Sequence, residues 1–174
     1  MASILKFDKW QNTAGTAYGT VLQVVNATSG FTNQTITSAT PVALSGMSVT
    51  ITPFFSTSKI LIFASISASW TYVSSLHLYK NGTDMIANHG SNSQLGGATA
   101  LWTFFDQGIT ATDGASIFTL PMQYVDSPGT TSATTYALYA NSGWLSTTYS
   151  LYFNNRAAGE MLSSSYICAM EIAQ

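Results

Sequence analysis

Lys59 to Trp70 reads KILIFASISASW, and this stretch decides the fold. From Ile60 every second residue is apolar: Ile60, Ile62, Ala64, Ile66, Ala68 and Trp70. Alternation of period two sustained this long predicts a strand whose one face lies against a core along its whole length. The opposite face changes character, from Leu61 and Phe63 to Ser65, Ser67 and Ser69. A face turned to water has no need of Leu61 and Phe63, so that end is expected to meet another element or another subunit. The stretch is therefore read as the central strand of an all-β domain whose second face is partly an interface.

Strand signals continue on both sides of it. Upstream lie the Thr-rich FTNQTIT (31–37), expected at an edge, and MSVTIT (47–52), stopped by Pro53. Downstream, SLHLYKNGTDMIA (75–87) reads as a hairpin, because Asn81-Gly82 supplies the positive φ angles of a two-residue turn. LWTFFDQ (101–107), the run 116–126, TYALYAN (135–141), YSLYFNN (149–155) and SSYICAMEIAQ (164–174) follow, with Pro121 marking an edge or bulge. Nine or ten short strands without a convincing helix predict a two-sheet sandwich or barrel. Residues 1–28 stand apart and are read as an N-terminal attachment arm, with Ile4, Leu5, Phe7 and Trp10 as candidate anchors; the equal alternative is a strand or tail folded back on its own domain. Residues 29–174 form the domain.

Composition agrees and excludes several functions. Serine and threonine make up 47 of the 174 residues, and there are nine Tyr, nine Phe and four Trp. Charged residues are only 7%, against about 25% in ordinary soluble domains. A net charge of −2 with scattered basic residues gives no footprint for nucleic acid. The N-terminus lacks the apolar core of a signal peptide, and no stretch approaches the roughly 18–20 apolar residues of a membrane span. Synthesis in the cytoplasm without membrane insertion is expected. The single cysteine, Cys168, excludes an internal disulfide and is expected as a buried thiol.

No catalytic or metal motif emerges. His77 and His89 are the only histidines, at no metal-ligand spacing. His77 is expected to point to solvent or a subunit boundary and His89 to sit in a loop, and Asp84 and Asp106 could approach them in space. Seven carboxylates show no favoured glycosidase pair, and neither a nucleophile elbow nor a phosphate loop occurs. The chain is expected to be no enzyme and to need no cofactor or metal. Trp102 and Trp144 could stack on sugar rings, although packing at a boundary or core end is the plainer reading.

Two resemblances sharpen these expectations. The long apolar strand, the Leu76-x-Leu78-x-Lys80-Asn81-Gly82 hairpin and the closing C-terminal strand resemble the jelly roll of the complement-globular-head and tumour-necrosis-factor superfamily. That resemblance covers 31–174 and implies a homotrimer, with Leu61 and Phe63 at the trimer interface. The whole chain also resembles short virion structural proteins of marine and cyanobacterial phages, annotated loosely as tail-fibre-like. The matching segments are Leu5–Val25, Ser56–Ile62, Leu76–Thr83, Asp126–Leu138 and Met170–Ala173, in that order. Together they imply an all-β, two-sheet antiparallel jelly-roll sandwich with a short N-terminal arm, trimeric and located in the virion after assembly in the host cytoplasm. The function implied is capsid decoration or head fibre, docked on other virion proteins through the arm. The alternative is a tail-fibre tip recognising host surface glycan through Trp102 and Trp144.

Overall fold

The computed structural model describes residues 19–71, 73–85, 102–105, 116–142, 149–156 and 162–174, with backbone alone at 73 and 102–105. Eleven strands occur among them and no helix: β1 (Val21–Thr28), β2 (Gln34–Ile36), β3 (Val42–Ile51), β4 (Lys59–Trp70), β5 (Val73–Lys80), β6 (Thr83–Asp84), β7 (Trp102–Phe105), β8 (Phe118–Asp126), β9 (Thr134–Ser142), β10 (Leu151–Phe153) and β11 (Tyr166–Ile172). They form two antiparallel sheets. In the first, β4 pairs with β8 on one side; on the other it pairs with β11 and then β10, which lead outward to β1 and β2. The second sheet runs β3-β9-β5, with β6 and β7 sharing the free side of β5. Chain-distant strands lie side by side in both sheets, which is the jelly-roll-like arrangement of a sandwich.

The alternation read at 59–70 is what packs. Ile60, Ile62, Ile66 and Ala68 are fully buried, and they meet Leu76, Leu78, Tyr136 and Leu138 of the second sheet in one core. At Asn81-Gly82 the φ angles are 50° and 81°, both positive as a tight hairpin turn requires. Pro121 lies on β8, which among the described residues pairs with β4 alone, so its missing N–H costs no ladder bond on the other side. The boundary expected at residue 29 falls earlier. β1 pairs with β11 from Val21 to Thr28, so those residues belong to the folded sandwich. The anchors Ile4, Leu5, Phe7 and Trp10 lie outside the described residues.

A buried polar knot closes one end of the first sheet. Asn154, at φ 55°, donates through Nδ2 to Ser29 Oγ (2.6 Å) and to the Thr32 carbonyl (2.8 Å). Its Oδ1 accepts from Ser165 Oγ (2.5 Å), and Ser165 Oγ accepts from the Ser67 N–H (2.9 Å). Ser29, Ser67, Asn154 and Ser165 are buried, and the knot joins the ends of β1 and β10 to β4 and the start of β11. Polar groups removed from water this way must be paired, since each one left unpaired costs about 1–3 kcal/mol.

Candidate interaction surface

The outer face of the first sheet departs from what a solvated face requires. An antiparallel sheet with one wet side alternates apolar-in with polar-out. Here the cross-strand register places Val24, Met170, Leu61 and Val125 in one row across β1, β11, β4 and β8. The next row is Asn26, Cys168, Phe63 and Gln123; the third is Thr28, Tyr166, Ser65 and Pro121. None of these twelve positions carries a charge. Val24, Val125 and Tyr166 are each about half exposed or more, while Leu61, Phe63, Cys168 and Met170 are half-buried by their neighbours. A shallow groove runs over the second and third rows, between Phe63, Ser65, Pro121, Gln123 and Tyr166.

β11 makes the point within one strand. Its core side holds Ile167, Ala169 and the carboxylate Glu171, and its outer side holds Tyr166, Cys168, Met170 and Ile172. The outward side is the richer in large apolar groups. Cys168 is thus on the outer face and not in the core, as the alternating run had suggested. Partial burial still raises its thiol above the usual range, which keeps it protonated at neutral pH.

Three titratable clusters lie away from this face. His77 of β5 is 2% exposed and does not face solvent, a correction to the expectation from alternation alone. Its Nδ1 meets Asp84 Oδ2 at 2.9 Å and its Nε2 meets Asn141 Oδ1 at 3.2 Å. Asn141 is oriented by its own Nδ2 donating to the Ala39 carbonyl (2.9 Å), and the Ser75 hydroxyl donates to the same Oδ1. The Ser75 hydroxyl is therefore spent on Asn141, and with Ser75 and His77 both buried the group ties β5, β6, β9 and the segment before β3 together. It does not present a nucleophile.

Asp126, at the end of β8, accepts from the Tyr136 hydroxyl (2.6 Å) and pairs with Lys80 Nζ (2.7 Å), linking the first sheet to the second. Burial, then the bond to the Asp126 carboxylate, pushes the Tyr136 phenol far above the usual tyrosine range. Glu171 is fully buried, and its Oε1 accepts from the Phe54 (2.8 Å) and Phe55 (3.3 Å) N–H groups. Its Oε2 accepts from Gln23 Nε2 (2.5 Å). No group of three or more His, Cys, Asp or Glu able to hold a metal occurs among the described residues.

The structure thus brings Leu61 and Phe63 together with ten further uncharged positions, through a cross-strand register that sequence could not supply. Trp102 lies on β7, but its side chain is not among those described; Trp144, His89 and Asp106 lie outside the described residues. Comparison with known protein families and with curated proteins finds no match.

Proposed function

We propose that this protein is a structural component of a phage virion, a capsid decoration or head-fibre protein that acts by self-association and docking. The observation that supports this best is the uncharged, apolar outer face of the six-stranded sheet. Such a face suits a homotrimer, the number the jelly-roll resemblance implies, in which each copy lays Leu61, Phe63, Met170 and Val125 against its neighbours. Burying a few hundred Å2 of apolar surface per copy at about 25 cal/mol per Å2 supplies several kcal/mol before association costs. The low charge of the chain, 7%, fits a protein that works within an assembly. The virion assignment itself rests on the five ordered segments that resemble phage structural proteins. In this reading the arm, through Ile4, Leu5, Phe7 and Trp10, grips another virion protein.

Gold-labelled antibody on intact particles tests the assignment. Label over the head is the expected result. Label on the tail would replace it with host recognition and make Trp102 and Trp144 the residues to mutate. Unlabelled particles would overturn the virion reading.

A further inference from the structure

The turn between β3 and β4 carries Phe54 and Phe55 side by side, 63% and 53% exposed. Two neighbouring large apolar side chains in water need a reason, and this pair is held by a fixed backbone. Both N–H groups donate to the buried Glu171 carboxylate, Thr52 accepts from Gln23 Nε2 (2.7 Å), and the Ser58 N–H closes the turn on the Phe55 carbonyl (3.1 Å). The backbone under the pair is already ordered, so a group that docks there does not have to order it.

We propose that Phe54 and Phe55 are the docking surface for this protein's own N-terminal segment, residues 1–18. The path of the chain is the first argument. Thr20 accepts from the Ala173 N–H (2.9 Å), and a Cβ on Gly19 would lie 3.0 Å from Ile172 Cγ2. Ile172 adjoins Glu171, the residue that holds the Phe pair, so the segment departs from the same end of the sandwich. Eighteen residues span up to about 60 Å when extended, so reach imposes no limit. Tethering at this distance sets an effective concentration on the order of millimolar, enough for a weak contact to be occupied. Composition is the second argument: Ile4, Leu5, Phe7 and Trp10 offer the apolar and aromatic partners that an exposed Phe pair takes. The inference shares its four anchor residues with the attachment reading. On a particle the segment would exchange the Phe pair for the particle surface.

Trypsin reads the contact directly, because Lys6 and Lys9 lie inside the segment. The full-length protein and a Phe54→Ser/Phe55→Ser variant are digested briefly, and cleavage after each lysine is timed by mass spectrometry. Docking worth about 1.4 kcal/mol predicts cleavage roughly tenfold faster in the variant. Equal rates in the two proteins would overturn the proposal. Should the double variant unfold, Ile4→Ser/Leu5→Ser gives the same comparison from the segment's side, with the same two outcomes. Protection that survives dilution assigns the docked segment to its own chain; protection that fades as the assembly dissociates assigns it to a neighbouring copy. Loss of particle labelling with tryptic protection intact would remove the virion reading and leave the docking in place.

Discussion

Glu171 shows how one buried carboxylate can serve a turn. Burial by itself drives its pKa up, but donation from Gln23 and from the Phe55 and Phe54 N–H groups outweighs it, and the net direction is down from 4.5. The buried Ser58 hydroxyl beside it also favours the charged form, although in this conformation its oxygen makes no hydrogen bond. A carboxyl whose folded pKa is depressed contributes stability above its unfolded value and loses it as pH falls through the folded value. Unfolding free energy should therefore drop below about pH 4. Glu171→Gln should cost about 1.5–3 kcal/mol at pH 7, the worth of hydrogen bonds to a charged group, and less at pH 3. Urea unfolding of both proteins at the two pH values checks this; an identical loss at both would refute the ionic role. Tyr136→Phe belongs to the same scale. It removes one donor from the buried Asp126 while Lys80 remains, so a loss of about 1–2 kcal/mol is expected at neutral pH from the same unfolding measurement.

At the scale of the element, β3 contains a break in its alternation. Leu44 and Met47 are both buried, three residues apart, and the pairing with β9 shifts register between Ala43 and Ser48. From Ala43 to Ser48 β3 advances five residues while β9 advances two, from Tyr139 to Ala137, and the three extra residues, an odd number, restore the core phase for Met47, Val49 and Ile51. Gly46 makes it possible: its φ is 75°, and a Cβ there would stand 2.8 Å from the Ser29 Cα. Gln34 of β2 fastens the bulge, accepting from the Ser45 N–H and donating to the Ala43 carbonyl (3.0 Å each). Gly46→Ala should lower stability by about 2–4 kcal/mol, through backbone strain together with a clash against main chain. Gly129→Ala is the control, since φ is 67° but nothing lies within 4 Å, and about 1 kcal/mol is expected. Similar losses in chemical denaturation would show that the approach to Ser29 does not matter. This bulge also marks where sequence reading stops. The alternation of β4 and the turn residues Asn81-Gly82 are local signals, and both elements were legible from them. A bulge depends on which strand lies opposite, and the Asn154–Ser29 bond joins residues 125 apart in the chain, so neither leaves a local trace. His77 is an intermediate case. Alternation gave its side of β5, but its partners Asp84 and Asn141, the latter oriented by the Ala39 carbonyl, are ones only the fold assembles.

For the molecule as a whole, the outer face of the first sheet sets the expected behaviour in solution. Leu61 and Phe63 were legible as out-facing apolar residues; that Val24, Met170 and Val125 continue the same row needed the register. A charge placed at its centre should separate copies without unfolding any one of them, because those positions are only half-buried in a single chain. Leu61→Lys/Phe63→Lys should therefore retain its unfolding midpoint within a few degrees when compared at concentrations where the parent is dissociated. Its mass by light scattering should be 18.5 kDa, where the parent at micromolar concentration should give three times that. Cys168 supplies an internal reporter, since it lies beside Phe63 in the second row. Its thiol should react slowly with a maleimide in the assembled parent and at least about tenfold faster in the dissociated variant, a ratio that follows from burial of the site by a contact worth 1.4 kcal/mol or more. A parent that is monomeric at micromolar concentration would show that this face has some other partner. A variant that remains assembled, with Cys168 still protected, would place the contact between copies elsewhere on the molecule.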